Sequence, residues 1–520
     1  MRKSNKESST SQRLLIDSSL RPSWKDYIQF IALGPRDVLL YLVCSTYRVF
    51  AKSFELLPPR YLAWTSRVRA RRSFFRALRK VPAYYKFVHN DPAPGRHGIP
   101  EMDKERYIKA FSIESRCLHG SIPSADVMID ESSGSTGIPY NWVRLVKERH
   151  QSHLFISYFA SYCFGEEPWI TINAFSMGSW ATGLNIGIAL QKNSIVKNTG
   201  PDISKILHTL SFFGREYPYL ITGYPPFLKY IVDTAEAQGF PLRGYRLNAL
   251  VGGEGMSEGL RDYLLRYFQK VYSGYGATDV EIGIAGETPI SVAIRRLARD
   301  NPDVRDRLFG SDSRLPMLFQ YNPLMHYIEA NDNREILITI TRSSMLSPRI
   351  RYNIHDEGGV ARYDEIAGIL RETGHDIRTL ACPECTNILR LPFLWVYGRR
   401  DFTISIMGAN IYPEDIEQSL YTDMDLAHIT RSFCQSLLES PEGEVRPCFH
   451  FEITEKPSED LTQRFSHSIL KHLREINADF RKAWEEHPKT MIPEIRLHNL
   501  GEGPFKTDSE RIKQIRKVKA

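Results

Sequence analysis

Five short stretches of this chain carry residue types that handle phosphate, ribose and metal. In the first, Ser132-Ser133-Gly134-Ser135-Thr136-Gly137-Ile138-Pro139, hydroxyls and glycines alternate directly after a predicted strand. Glycine lets backbone N–H groups approach an anion, and Ser/Thr hydroxyls donate to phosphate oxygens. No Gly-Lys-Ser/Thr follows, so this is not a Walker loop; standing alone, the composition also suits a flexible linker. The second, Tyr275-Gly276-Ala277-Thr278-Asp279, brings together a flat aromatic, a hydroxyl and a carboxylate. The ring suits a base, the hydroxyl a phosphate, and the carboxylate a Mg²⁺ held through oxygen, although a surface turn has the same composition. In the third, Arg351-Tyr352-Asn353-Ile354-His355-Asp356 before Gly358-Gly359, an aspartate at a strand end can accept both hydroxyls of a ribose. The fourth is Gly398-Arg399-Arg400-Asp401 with Gly408 to Pro413 and Glu417, where glycines permit a sharp domain crossing and an arginine can hold ribose or phosphate. The fifth is Lys506 within Gly503-Pro504-Phe505-Lys506, a lone lysine in a polar loop.

The elements that must position these residues read as alternating strands and helices from about residue 120 onward. Strands are predicted at Ala125 to Ile129, Trp169 to Phe175, Leu220 to Thr222, Leu247 to Val251 and Lys270 to Ser273, with helices at Pro225 to Gln238 and Ser257 to Phe268. That repetition predicts an α/β fold with largely parallel strands, in which ligands gather where strands end in Gly-rich loops. Residues 24 to 120 carry apolar residues at helical spacing, and the polar, Ser-rich residues 1–20 are expected to be a disordered tail. A new unit is expected from near Gly398. It has a strand at Asp401 to Met407, a helix at Pro413 to Tyr421, a strand at Pro447 to Ile453 and one long helix from Ser458 to Trp484.

In this order and at these separations the five stretches resemble the adenylate-forming superfamily, and within it the phenylacetate–CoA ligase family. The resemblance runs from about Val127 to Glu417 and includes Asn173-Ala174-Phe175-Ser176, Thr222-Gly223-Tyr224-Pro225, Gly252-Gly253-Glu254 and Pro348-Arg349-Ile350-Arg351-Tyr352. It implies a large multi-layer N-terminal domain with mostly parallel sheets and a small mobile α+β C-terminal domain. The expected division is a helical region at 21–120, an AMP-binding core at 121–400 and the mobile unit at 401–520. The implied reaction joins a carboxylic acid, aromatic by family default, to AMP from ATP and then to the thiol of coenzyme A. By likeness, Ser133, Gly134, Ser135, Thr136 and Gly137 embrace the ATP phosphates, although Ile138 stands where the family often has a lysine. Tyr275, Gly276, Gly253 and Glu254 line the adenine, Thr278 touches the α-phosphate, and Asp279, in place of the usual Glu, holds Mg²⁺ with Glu281 as a helper. Asp356 takes the ribose, with Arg399 beside it. Asp401 is the hinge, followed by Phe402 where a second Asp is common, and Gly408 lines the coenzyme A tunnel. Lys506 is the lysine that swings in for adenylation, with Lys513 as the fallback.

Composition sets the bounds. The chain has 520 residues, 42 % hydrophobic and 25 % charged, with a net charge of +7, which suits a soluble multidomain protein with an anionic ligand and does not demand a nucleic acid. Seven dispersed cysteines, an odd number, fit a reducing cytoplasm better than a disulfide framework. Cys382-Pro383-Glu384-Cys385 has the spacing of half a zinc site, with His355 and His375 as the nearest further ligands; two free thiols in a surface loop is the plainer reading. No secretory signal opens the chain, and Val38 to Cys44 is too short a run to span a bilayer. Arg67, Arg69, Arg71, Arg72, Arg76, Arg79 and Lys80, interleaved with Phe74, Phe75 and Leu78, form a basic amphipathic helix. It reads as a solvated face, with peripheral membrane contact as its rival. Two further functional readings compete: an adenylating enzyme that serves a carrier protein or an amine, and a nucleotide-binding protein without turnover. A homodimer is common in the family.

Overall fold

A computed structural model describes residues 22–43, 46–90, 99–131, 140–178, 181–310, 312, 314–380, 388–399, 404–407, 409–439 and 445–506. The chain begins with helices α1 (Trp24–Val43), α2 (Tyr47–Leu56), α3 (Pro59–Lys80) and α4 (Pro82–Asn90). Pro59 opens α3, where its fixed φ suits a first turn that needs no N–H donor. The face of α3 carrying Leu62, Val68, Phe74, Phe75 and Leu78 is buried.

Strands and helices then alternate: β1 (Val127–Glu131), β2 (Asn141–Leu145), α5 (Val146–Phe164), β3 (Ile170–Asn173), α6 (Ala181–Leu190), β4 (Ile195–Asn198), α7 (Ile203–Phe213), β5 (Pro218–Gly223), α8 (Pro225–Ala237), β6 (Arg246–Gly252), α9 (Glu258–Leu264) and β7 (Lys270–Ala277). Six more strands follow: β8 (Glu281–Gly286), β9 (Met317–Tyr321), β10 (His326–Ala330), β11 (Glu335–Ile340), β12 (Tyr352–Ala361) and β13 (Phe393–Arg399). β1 and β2 form a separate hairpin, and the rest build one 11-stranded sheet in the order β10-β11-β12-β13-β9-β8-β7-β6-β5-β3-β4. The expected parallel strands fill one end, β4 to β7. From β7 to β10 every pairing is antiparallel. Helices also lie between β8 and β9 (Pro289–Asp300, Pro302–Phe309) and between β12 and β13 (Tyr363–Glu372), yet both pairs are antiparallel, so alternation of strand and helix could not announce their direction. One apolar core, from Phe74 to Val396, underlies the sheet.

A second core draws only on residues between Ile404 and Ile495. It packs helices against β14 (Ile404–Ile406) paired with β15 (Ala409–Ile411), and against β16 (Thr430–Glu439), β17 (Val445–Ile453) and β18 (Glu494–His498). The single helix expected from Ser458 to Trp484 is two, Glu459–Ile476 and Ala478–Glu486. Asn477 ends the first at φ −109° and caps the second by accepting from the Phe480 N–H. Its amide also donates to the Asn410 carbonyl and the Asp415 carboxylate, bonds a straight helix would forfeit.

This second unit sits on α8 and α9. Glu417 Oε2 accepts from the Ser257 N–H at 3.1 Å, and Lys229 donates to the Thr430 carbonyl at 3.0 Å. Tyr263 contacts His428. The Arg314 guanidinium lies 4.2 Å from the ring centroids of both Tyr397 and Tyr412, joining β13 to the segment after β15.

Candidate active site

The site lies where β6 and β7 run out at their carboxyl ends. Tyr275, near the end of β7, stacks one ring face on Phe319 at 5.5 Å and donates its hydroxyl to Asp356 Oδ2 at 2.7 Å. Asp356 stands opposite Arg399 in the β12–β13 register, so the chain brings Tyr275, Asp356 and the Arg399 backbone to one place. Gly253 follows β6 at φ +84°, and a Cβ there would meet the Tyr224 ring at 2.6 Å. Only glycine lets this turn lie flat on Tyr224 beside Glu254. Burial, and then the Glu254 charge, push the Tyr224 hydroxyl up to about 12, so it stays neutral.

The turn that carries Thr278 and Asp279 is clamped from behind. Arg144 on β2 pairs with Asp130 on β1 at 3.0 Å, and its other nitrogens donate to the carbonyls of Thr278 and Val280. Arg349 donates to the Asp279 carbonyl at 2.8 Å and lies over Trp142. All three carbonyls of the turn are thereby held by guanidinium groups, which fixes the direction of the Thr278 and Asp279 side chains. The same Arg144 ties the β1–β2 hairpin to the turn, and the hydroxyl-rich stretch 132–139 joins those two strands. Asp279 stays half-buried and accepts from the Tyr352 hydroxyl at 3.1 Å. This suits Mg²⁺, which takes one or two carboxylates and keeps its remaining places for water and phosphate. Glu281 is different. Burial would raise its pKa, but Arg342 and His326 pair with both of its oxygens and hold it down to about 2. Glu281 is committed to this buried network and does not serve as a helper for an ion beside Asp279.

Behind Tyr275 opens a cavity of about 640 Å³, open solvent at its mouth included. Phe155, Ile156 and Phe159 of α5 form one wall, Phe175, Ile186 and Leu250 another, and the glycines around Gly253 and Tyr275 the rim. Among the described residues no charged side chain lines it. Gly286 allows the Phe159 ring to lie directly against β8, a position that any Cβ would take.

No protein-family description matches the chain, and no curated relative matches it. Solved structures do. 2-Hydroxyisobutyryl-CoA ligase in its postadenylation state, in complex with R3-HIB-AMP, superposes with a TM-score of 0.63 at 12 % identity, over 90 % of this chain and 92 % of that one. The same ligase with 2-HIB-AMP gives 0.61 at 12 % identity over the same shares. With 2-HIB-AMP and CoA in the thioesterification state it gives 0.52 at 12 % identity, over 90 % of this chain and 91 % of that one. The chain has the fold of an adenylate-forming ligase.

Of the residues singled out in the sequence, Gly253, Tyr275 and Gly276 line the cavity, Asp356 is bonded to Tyr275, Glu254 follows Gly253, and Thr278 and Asp279 lie in the turn after β7. Ser133 to Gly137, Asp401, Gly408, Cys382, Cys385, Trp180 and Lys513 lie outside the described residues, as does the Arg399 side chain. Lys506 is exposed on a turn after β18 whose backbone bonds stay within the second unit. His355, the proposed zinc partner, lies 3.2 Å from Glu335, and among the described residues no cluster has the makings of a metal site. Of the aromatic residues in the stretches that carry the resemblance, Phe175 lines the cavity. Tyr224 packs edge-on behind Phe175 at 5.2 Å, and Phe227 lies in the neighbouring core. Sequence reasoning missed Arg144 and the α5 wall. The one available signal for Arg144 was an arginine inside an apolar strand, Trp142-Val143-Arg144-Leu145.

Proposed function

We propose that this chain joins a carboxylic acid to AMP, using ATP with Mg²⁺, and then passes the acyl group to the thiol of coenzyme A. The observation that carries this reading is the position of Tyr275, which is bonded to Asp356 on one side and borders the apolar cavity on the other. A nucleoside on the Asp356 side would meet an acid from the cavity side at the Thr278 turn.

Each residue then has a task. Asp356 accepts the ribose hydroxyls, with Arg399 beside it. Tyr275, Gly276, Gly253 and Glu254 border the base. Thr278 and the hydroxyl-rich loop from Ser133 to Gly137 hold phosphate oxygens. Asp279 would hold Mg²⁺, which supplies positive charge against the phosphates. The acid carboxylate attacks the α-phosphorus, the bond to pyrophosphate breaks, and the developing charge is steadied by Thr278 and by Lys506 once it reaches the cleft. In the second half the coenzyme A sulfur attacks the acyl carbonyl and AMP leaves. We assign residues 121–400 to the core and 401–520 to a unit that turns at Asp401, with Gly408 along the coenzyme A arm. Such a turn would bring Lys506 in and then withdraw it.

An aromatic acid is the favoured substrate, supported by the rings of Phe155, Phe159 and Phe175 and by the lack of charge among the described residues of the cavity wall. The Pro348 to Tyr352 string supports placement in the phenylacetate–CoA ligase family. The test is pyrophosphate release from ATP and Mg²⁺ over a panel of aryl and alkyl acids, followed by detection of the CoA thioester. Release with at least one acid and a thioester product is expected. ATP binding without release from any acid would overturn the reading, and discharge only to an amine or a carrier protein would overturn its second half.

A further inference from the structure

Helix α1 has two apolar faces, and the protein uses one. Its inner face packs on α3: Asp26 is buried and bonded by Arg71 at 3.2 Å, Phe30 meets Phe75 edge-on at 6.3 Å, and Leu33 is fully buried. The opposite face carries Trp24, Tyr27, Ile28 and Ile31, exposed to 69, 51, 55 and 73 %. Those positions follow the i, i+3, i+4, i+7 spacing of one helical stripe. Four large apolar side chains in one row form a patch rather than scattered surface residues.

The charge around the patch selects what covers it. Lys25 flanks the stripe and is exposed. Every charged residue of α3, the helix beneath, is a cation, and Arg67, Arg71, Arg72, Arg79 and Lys80 are exposed. Asp26, the acid in the first turn of α1, is turned inward and neutralised by Arg71. A second copy docking through α1 would bring cation-only α3 helices toward each other. Trp and Tyr beside Ile on a helix lying over arginines suit an interface that is apolar below and anionic at its surface.

We propose that α1 lies in the plane of an anionic lipid surface, with Trp24, Tyr27, Ile28 and Ile31 inserted and the α3 arginines against the headgroups. Among the described residues no helix is long and apolar enough to cross a membrane, so this contact is peripheral. It is independent of the proposed enzymology.

The test is cosedimentation of the full chain with phosphatidylglycerol/phosphatidylcholine vesicles and with phosphatidylcholine vesicles alone. Binding to the anionic vesicles, weakened by salt, is expected. Combining Trp24→Ser, Ile28→Ser and Ile31→Ser should lower the partition by about tenfold or more, because each side chain gives up apolar burial. Arg72→Glu should lower it too. The unfolding midpoint of the triple variant should equal that of the parent, since the altered face is exposed; if it falls, Ile31→Ser alone, at the most exposed position, takes its place. No sedimentation of the parent, equal binding to neutral vesicles, or undiminished binding by the stripe variants would each overturn the proposal. A dimer that the stripe variants convert to monomer, with no vesicle binding, would assign the patch to a second copy instead.

Discussion

The phenol of Tyr275 donates to Oδ2 of Asp356 at 2.7 Å, across 81 positions of sequence. In the site proposed above, this bond engages one of the two Asp356 oxygens assigned to the ribose, so a nucleoside would share it with Tyr275. Asp356→Ala removes a charged acceptor, and hydrogen bonds to charged groups contribute about 1.5–3 kcal/mol. Expected is a loss of roughly 10- to 100-fold in kcat/KM for ATP, read by pyrophosphate release. Tyr275→Phe keeps the ring and should raise the KM for ATP only a few-fold. An unchanged KM in Asp356→Ala would remove this residue from the nucleotide site.

Glu281 and Asp279 stand two residues apart and should separate cleanly on substitution. Glu281→Gln leaves Arg342 and His326 with an unmatched buried partner, and breaking a buried pair in this way costs about 3–5 kcal/mol. Its expected mark is a lowered unfolding midpoint with an unaltered Mg²⁺ requirement in whatever enzyme remains folded. Asp279→Asn should do the reverse, raising the Mg²⁺ concentration for half-maximal rate by about tenfold, the scale of one charge-assisted contact, with little change in stability. Mg²⁺ titrations and thermal unfolding of the two variants side by side decide it.

The contrast between these two carboxylates also shows what the sequence could reveal. Tyr275, Thr278 and Asp356 could be singled out as candidates because their neighbours narrow what they can do: glycines, a strand before them, and the family order. Glu281 looked equally suited to metal, since nothing in its local spacing shows that Arg342 and His326 arrive from 61 and 45 residues away. Arg144 was hidden for the same reason, because its role depends on meeting carbonyls more than 130 positions distant. The parallel half of the sheet followed from strand–helix alternation, whereas the antiparallel half depends on long-range register that periodicity does not encode. The break at Asn477 was missed because helical spacing continues across it, while its cap and its bonds to Asn410 and Asp415 are tertiary.

Phe159 lies directly on Gly286 where both line the cavity. Phe159→Leu removes ring volume from the α5 wall, and Gly286→Ala places a methyl group where that ring now lies. A change of one methylene in an apolar pocket is worth about 1–3 kcal/mol in discrimination. The ratio of kcat/KM for a bulky aryl acid over a compact one should therefore rise by roughly tenfold in Phe159→Leu and fall by a similar factor in Gly286→Ala. Both ratios come from one competitive pyrophosphate assay with the two acids. Movement of both variants in the same direction would mean that this cavity does not hold the acid.

Asp415 gives the second unit a pH dependence with an unusual sign. Burial pushes its carboxyl up to about 7, against the Tyr412 N–H and the Asn477 amide, which both donate to Oδ2. In the unfolded chain the group titrates near its ordinary value of 3.8. Between about pH 4 and pH 7 the folded state holds a proton that the unfolded state has released, so the free energy of unfolding falls as pH rises through this window. Below the window both states are protonated and the group imposes no penalty. Above it the buried charge costs on the order of a few kcal/mol. Asp415→Asn keeps an acceptor for the Tyr412 N–H and removes the titration. Thermal unfolding from pH 4 to pH 8 should show a decline in the parent that is flattened in Asp415→Asn, with the variant more stable than the parent at the alkaline end. A parent whose stability rises with pH across this window, or a variant with the same slope, would mean that Asp415 is already ionised in the fold and that solvent or a cation reaches it between the helix Pro413–Leu420 and Asn477.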